Sequence, residues 1–338
     1  MLKPKIKSYL NFLDNKSVLI TSHALADLDG LASAIGLYFF LQKLIPNIIT
    51  HLYFSKISKK ARIFLEKLKE KFPEFDPVFE EDINILYFDA IFITDTNKFS
   101  KAGKFLSNDE DILKDTLIIF IDHHYAEDLH LKQQKNRDFI IFEDYTSASE
   151  IIVDLFKDFQ ISLQLALKYL LTAGIIIDSG YLKFANKNTL ESMAFLLEDN
   201  IEYQEILSML KIEPHISEKI AKIKGAQRSE LIRENDWLIG VSYVSSFEAS
   251  VANTLIKIGF DISIVISERK DEYRVSLRAK RRVCDQCNLH LGKMLEGISK
   301  DINGIGGGHE GAASIKISKE ELNIKTIILE KIKEILNN

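Results

Sequence analysis

The chain has 338 residues, more than one average core accommodates, so two domains are expected. Hydrophobic residues at 46% and charged residues at 28% are ordinary globular proportions, and the net charge of −5 argues against general electrostatic attraction to nucleic acid. Two cysteines exclude a disulfide framework and point to the cytoplasm; no signal peptide is visible, and no apolar run reaches the roughly 18 residues that a bilayer span needs. After a plain amphipathic start, residues 17–22 form a short apolar strand that ends in His23-Ala24-Leu25-Ala26-Asp27-Leu28-Asp29. Residues 29–44 read as a helix with a wide apolar face, 48–54 as a strand, and 59–71 as a helix ended by Phe72-Pro73. A second apolar strand, 90–94, ends in Asp95. A short helix follows, and then a buried parallel strand, 116–120, which leads into Asp122-His123-His124. Residues 138–142 are a further strand. Thr146 or Ser147 caps the next helix, with Glu150 completing a capping box. A long helix over about 162–177 delivers Asp178, although Ile175-Ile176-Ile177 fits a strand as well. This βαβ alternation predicts an α/β fold, a doubly wound and mainly parallel sheet.

Residues 186–225 change character. Asn186-Lys187-Asn188-Thr189 opens a helix closed by Asp199-Asn200, and two short helical patterns flank Glu213-Pro214. The interdomain connection is expected here. From Ser229 the pattern is strand-rich, with strands at 237–243, 262–266, 273–278 and 312–317 and helices at 248–258 and 319–336, a smaller α/β domain. The predicted division is therefore a domain over 1–190, a helical linker over 191–225 and a domain over 226–338.

A core strand gains nothing from ending in an acid and two imidazoles. Open α/β sheets place their chemistry at the carboxyl ends of strands. The same event recurs, and the best candidates are two histidines, His23 and His123, with four carboxylates, Asp27, Asp29, Asp95 and Asp178. Such an acidic cluster repels itself unless cations sit inside it. Two divalent ions would balance it; mixed carboxylate and imidazole ligands suit Mn2+, with Mg2+ or zinc also suited. We expect one ion on His23, Asp27 and Asp95 and the other on Asp29, Asp95, His123 and Asp178, so that Asp95 bridges. Two such ions activate a bridging water as a hydroxide in line with phosphorus, and no protein nucleophile is required. Asp122 is placed to orient an imidazole, or to cap a turn.

These motifs, in this order, resemble the DHH phosphoesterase family, named for the triplet at 122–124. The family's first motif matches at His23, Asp27 and Asp29, its second at Asp95, its third at the triplet and its fourth at Asp178. Near the C-terminus, Gly306-Gly307-Gly308-His309 followed by Ala312-Ala313 resembles the signature of the associated DHHA1 domain. The departures are local: many oligonucleotide-cleaving members have Asn-Pro where this chain has Leu25-Ala26, and Gly where it has Leu28. The resemblance implies the same division of metal ligands. It also makes His124 a non-ligand that contacts the scissile phosphate and protonates the leaving oxygen.

For the second domain, Arg278 in Ser276-Leu277-Arg278 resembles the family's substrate-phosphate arginine. Strand alternation puts Ser276 and Arg278 on one face. Gly306, Gly307 and Gly308 offer backbone N–H groups to a phosphate, and His309 reaches the same phosphate or a base. Without a substrate, the run Arg278–Arg282 reads as a solvated edge strand. The expected arrangement is a cleft between the domains with metals on one wall and basic groups on the other.

The resemblance is to stand-alone nano-RNase-type members. It implies hydrolysis of short RNA or DNA oligonucleotides to mononucleotides, with adenosine 3',5'-bisphosphate as a second substrate. Cyclic dinucleotide hydrolysis, inorganic pyrophosphatase action and longer-strand exonuclease action are alternatives. A non-catalytic nucleotide-binding regulator is the alternative of another class. No membrane partner is expected, and a homodimer is left open. Elsewhere, Cys284-x2-Cys287-x2-His290 has partial zinc spacing without a second ligand pair. His51, His130 and His215 lack acidic company and read as surface or helix-end residues, and Trp237 reads as core.

Overall fold

The computed structural model describes residues 2–107, 116–125, 137–198, 201–302, 304–318 and 323–337. His130, Asp199 and Asn200 lie outside the described residues. The chain divides into two compact units, Met1–Ile212 and Glu213–Asn338.

The first unit runs α1 (Leu2–Leu13), β1 (Ser17–Thr21), α2 (Leu28–Leu44), β2 (Ile49–Leu52), α3 (Lys59–Lys71), β3 (Ala90–Thr94), α4 (Phe99–Ala102), α5 (Lys104–Ser107), β4 (Leu117–Asp122), β5 (Arg137–Ile141), α6 (Ala148–Phe159), α7 (Leu165–Asp178), α8 (Lys187–Leu196) and α9 (Tyr203–Leu210). Its five strands form one sheet in the order β2-β1-β3-β4-β5, every pairing parallel. Alternate strand residues feed two separate cores. Val18, Ile20, Phe92, Ile119 and Ile121 join α2, α6 and α7 on one face. Leu19, Ile91, Ile93, Ile118 and Phe120 join α4 and α5 on the other. Burial on both faces is why these strands read as unbroken apolar runs.

The strand order reverses beside β1, since β2 lies to one side of it and β3 and β4 to the other. Such a switch point opens a crevice at the carboxyl ends of the strands, and it falls where β1, β3 and β4 end side by side. The ambiguous Ile175-Ile176-Ile177 run is helical: α7 is buried along nearly its whole length and ends on Asp178. No helix among the described residues is long and apolar enough to cross a membrane.

The second unit runs α10 (Ile216–Gln227), β6 (Glu230–Glu234), β7 (Trp237–Val244), α11 (Glu248–Ile258), β8 (Ile262–Glu268), β9 (Glu272–Ala279), α12 (Arg281–Cys287), α13 (Leu291–Asp301), β10 (Ile305–His309), β11 (Ala312–Ser318) and α14 (Ile324–Leu336). Six strands form a mixed sheet, β10-β11-β9-β8-β7-β6, in which only β7 and β8 are parallel, joined through α11. One face buries Val275, Leu277, Ala313, Ile315 and Ile317 with residues of α13 and α14. On the other, α11 buries Val251, Ala252 and Leu255 against Val244 and Val265, on β7 and β8.

The glycine run is not a loop. Gly306, Gly307 and Gly308 lie in β10 and pair antiparallel with Ile315, Ser314 and Ala313. The glycines there serve close packing as well: a Cβ on Gly292 of α13 would meet the Gly308 carbonyl oxygen at 2.1 Å. A run of glycines carries no strand signal in sequence, because strand propensity reflects side-chain packing that glycine lacks.

Candidate metal centre

Three strand ends and two helix ends converge. His23 follows β1, Asp95 follows β3, and Asp122 ends β4 with His123 and His124 behind it. Asp27 is the N-cap of α2 and Asp29 lies in its first turn. Asp178 is the last residue of α7. His23 Nε2 lies 3.7 Å from Asp27 Oδ1 and 3.3 Å from Asp95 Oδ2. His123 Nε2 lies 3.5 Å from Asp95 Oδ1 and 3.0 Å from Asp178 Oδ2. Asp95 thus turns one oxygen to each imidazole. It does so from a left-handed backbone, φ 59°, a conformation that costs a non-glycine residue about 1–2 kcal/mol. Gly30 makes room: a Cβ there would meet Ser22 Oγ at 2.3 Å and Asp95 Oδ2 at 3.1 Å.

Asp29 is held by a helix distant in sequence. Its Oδ2 accepts from Ala148 N at 2.7 Å and its Oδ1 from Ser149 N at 2.9 Å, the first two amides of α6. Ser147 caps α6 and accepts from Glu150 N, while Glu150 accepts from Thr146 N and Thr146 Oγ1. The capping signature was visible in the sequence, but the carboxylate beyond the cap was not. Asp27 is treated similarly, its Oδ1 accepting from Asp29 N and Gly30 N at the start of α2. Helix N-termini favour anions through unpaired amides and the helix dipole.

Asp122 both caps its turn and orients an imidazole. Its Oδ1 accepts from His123 N at 2.8 Å and His124 N at 3.3 Å, and lies 2.8 Å from His124 Nδ1. The His124 ring is therefore held by Nδ1, leaving Nε2 for another partner. The hydrogen bond that the ring donates to Asp122 raises the His124 pKa above its ordinary value. Burial opposes charge on His23, but Asp27 and Asp95 outweigh it and push the imidazole up to about 10. Burial likewise opposes charge on His123, and Asp178 and Asp95 raise it to about 11. Burial would raise Asp95 too, yet His123 and His23 hold it below the usual carboxylate range. Asp29 goes the other way: burial, then the charges of Asp95 and Asp178, raise it well above that range. The acids thus favour protonated imidazoles, and binding of a divalent ion by these rings would release those protons.

The donor set fits divalent cations. Among the described residues, His23, Asp27 and Asp95 form one group whose ligand atoms lie within 4.8 Å of one another, and Asp29, His123 and Asp178 form another. A third joins Asp95 with Asp122, His123 and His124. His123 Nε2 meets only the carboxylates of Asp178 and Asp95, and buried Asp122 Oδ2 has no hydrogen-bond partner among the described residues. Mixed imidazole and carboxylate donors suit first-row divalent ions. A cavity of about 380 Å³ opens over the cluster and is lined by His23, Asp27, Asp95, His124 and Asp178, joined by Ser100 and Lys101. Sequence reasoning did not single out Ser100 or Lys101, which lie in the short α4 and carry no motif.

Arg278 and His309 lie in the second unit. Arg278 donates to Asn253 Oδ1, Ser276 Oγ and the Leu277 carbonyl, and burial lowers its pKa, with no acid acting on it among the described residues. His309 stands opposite Ala312, which stands opposite Arg278, so the histidine and the arginine share a sheet face. One reading needs correction. His51 does have acidic company, with Nδ1 2.6 Å from Glu80 Oε1, a residue 29 positions away that joins it only in the fold. His215 caps α10 and His290 caps α13, each through its own ring nitrogen. Trp237 is buried, with Arg282 over its ring.

Comparison with known proteins agrees with this architecture. Residues 17–175 match the model of the DHH family, N-terminal domain, and residues 248–338 match the DHHA1 domain. An uncharacterized protein of Methanocaldococcus jannaschii, MJ0988, is 35% identical over 332 residues, covering 97% of this chain and 94% of its own length. Among solved structures, an exopolyphosphatase-related protein from Bacteroides fragilis superposes with a TM-score of 0.64 at 17% identity. It covers 100% of this chain and 98% of its own, a likeness of fold. With both domain models matched in order and a relative aligned almost end to end, the chain belongs to the DHH family, as a two-domain DHH–DHHA1 phosphoesterase, and so to a family of hydrolases.

Proposed function

We propose that the protein hydrolyses phosphodiester bonds of short oligonucleotides, RNA or DNA, to mononucleotides, using two divalent ions, Mn2+ first among them. The observation that carries this reading is Arg278: a half-buried guanidinium on which no acid acts among the described residues, on one sheet face with His309. A cation in that setting calls for an anionic ligand, and a planar guanidinium suits a phosphate. His23, Asp27 and Asp95 would hold one ion and Asp29, Asp95, His123 and Asp178 the other. Bound there, the ions would supply Lewis acidity and an activated water.

The remaining work falls to the chain's own residues. His124, steadied at Nδ1 by Asp122, gives a proton from Nε2 to the leaving oxygen. The hydrogen bond to Asp122 raises the His124 pKa, which favours the protonated ring that this role needs. Arg278 and His309 bind a phosphate or base of the substrate. The same chemistry extends to adenosine 3',5'-bisphosphate, whose terminal phosphate presents the same anion.

The test is a substrate panel with Mn2+: di-, tetra- and long oligonucleotides, adenosine 3',5'-bisphosphate, cyclic dinucleotides and pyrophosphate. Release of mononucleotides from dinucleotides, faster than from long strands, is the expected result. Turnover confined to pyrophosphate or to cyclic dinucleotides would overturn the substrate assignment. Absence of turnover on every member, with nucleotide binding intact, would make the protein a non-catalytic binder.

A further inference from the structure

The second unit carries a cavity for which the residues assigned so far leave no role. It measures about 350 Å³, at the small end of ligand pockets. It is bounded by Phe247 and Glu248 at the start of α11, Arg274 and Ser276 on β9, and Ser314 and Lys316 on β11. Strand register sets this lining. Arg274 stands opposite Lys316, Ser276 opposite Ser314, and Arg278 opposite Ala312 and then His309. Side chains two residues apart on a strand share a face. The polar face therefore carries three rows: His309 with Arg278, Ser276 with Ser314, and Arg274 with Lys316. The outer rows lie four residues apart along β9, about 13–14 Å. Cations thus stand at both ends of a track and hydroxyls between them.

Charge and backbone strain point the same way. Arg274 first, then Lys316 and Arg269, act on Glu272, and Glu248 faces Arg269 at 3.9 Å, so among the described residues of this face cations are gathered around few carboxylates. Glu272 engages Arg274 through Nε, which leaves the terminal guanidinium nitrogens for a ligand. Phe247 has a left-handed backbone, φ 62°, costly for an aromatic residue, and it caps α11 without a side-chain hydrogen bond. The strained residue is 38% exposed and stands at the wall of the cavity. Backbone strain of this kind clusters at ligand-binding positions, and here it sits on an aromatic residue that lines a cavity.

We infer that this cavity is a second nucleotide subsite: Arg274 and Lys316 bind a phosphate further along the strand from the one on Arg278, and Phe247 stacks a base. Aromatic platforms beside cations are the general means of holding single strands without sequence preference. The inference rests on the oligonucleotide reading above and extends it, since a dinucleotide does not occupy this subsite and a tetranucleotide does.

The experiment uses the full chain, an Arg274→Ala/Lys316→Ala variant and a Phe247→Ala variant. Binding of a fluorescein-labelled tetranucleotide is followed by anisotropy in EDTA at several salt concentrations, and cleavage of di- and tetranucleotides is followed with Mn2+. The double variant should bind the tetranucleotide at least about tenfold more weakly, with a shallower salt dependence. Phe247→Ala should lose about five- to a hundredfold. Both should cleave the dinucleotide at the wild-type rate with wild-type melting temperatures. Unchanged tetranucleotide binding in both variants, equal losses on di- and tetranucleotide, or no tetranucleotide binding by the wild type would each overturn the subsite. If the wild type binds the tetranucleotide through these residues but cleaves nothing, the hydrolase reading fails and the subsite stands. If it cleaves dinucleotides and the variants match it on tetranucleotides, the reverse holds.

Discussion

The α6 clamp on Asp29 can be broken without touching a metal ligand. Ala148 is the first residue of α6 behind the cap Ser147, and its amide reaches Asp29 Oδ2 at 2.7 Å. Proline is well tolerated at that helical position, where the amide has no partner within the helix. The residue before it must be extended, and Ser147 is, at φ −158° and ψ 153°. Ala148→Pro therefore keeps α6 and removes one hydrogen bond to a buried carboxylate, while the ring crowds the oxygen that accepted it. A hydrogen bond to a charged group contributes about 1.5–3 kcal/mol. Loss of an outer partner of a metal ligand typically costs about 10–100-fold in affinity or activity. Isothermal titration with Mn2+ should show that weakening, along with a smaller rise in melting temperature on adding metal. Ile216→Pro, the same change at the start of α10 in the other unit, serves as control and should alter neither quantity. Wild-type Mn2+ affinity and turnover in Ala148→Pro would refute the argument that α6 holds Asp29 in its working position.

Asp95→Ala should abolish activity and lower metal content at both positions, measured by elemental analysis; normal two-ion occupancy would rule out bridging. His123→Ala should lose metal, whereas His124→Ala should keep it and lose about 10²–10⁴ in rate; the opposite pattern would show the two roles reversed. Arg278→Ala should cost about one to two decades in kcat/KM on a dinucleotide, leaving bis-p-nitrophenyl phosphate and melting temperature near normal. An equal loss on both substrates would place the arginine's effect at the metal centre or on folding. Glu205 accepts from Lys71 Nζ and Tyr169 Oη, each at 2.6 Å, and Lys71 first, then Tyr169, holds its carboxyl below the usual range. A depressed pKa adds stability above the unfolded carboxyl value and loses it as pH falls through the folded one. The pair is partly exposed, so Glu205→Gln should cost about 0.5 kcal/mol at pH 7, and the melting-temperature gap should close in acid. A gap independent of pH between 7 and 3.5 would contradict that assignment.

The strand ends were legible because of what surrounds them. β1, β3 and β4 are buried on both faces, so an acid or imidazole at the end of such a run has no packing reason to be there. Asp178 was legible as an acid after an apolar run even though the run's helical state was not. What sequence did not show are pairings made only by the fold. Asp29 meets α6 across 119 positions, and His51 meets Glu80 across 29. The strand β10 escaped because its glycines have no side-chain period, and α13 against it could not be placed without the sheet. Arg274 and Lys316 escaped for a related reason: each sits in an ordinary alternating strand, and only the register of β9 with β11 makes them neighbours.

The four acids of the centre differ in how the fold compensates them, and that difference says what a cation must do. Asp27 and Asp29 each receive two amides from a helix start, the first from α2 and the second from α6. Asp95 has no helix and faces imidazoles on both oxygens. Asp178 has the poorest setting. It ends α7, where the helix dipole is negative and disfavours a carboxylate, and His123 at 3.0 Å is the cation nearest to it among the described residues. In the proposed arrangement of ions, His123 is also the imidazole that would give up its proton to a metal. Without that proton Asp178 would lose its nearest compensating charge, and a cation held between His123 and Asp178 would supply it instead. Two acids are therefore held in place by backbone whether or not metal is bound. The other two depend on what occupies the space between them, which couples the position of Asp178 at the end of α7 to the loading of the site.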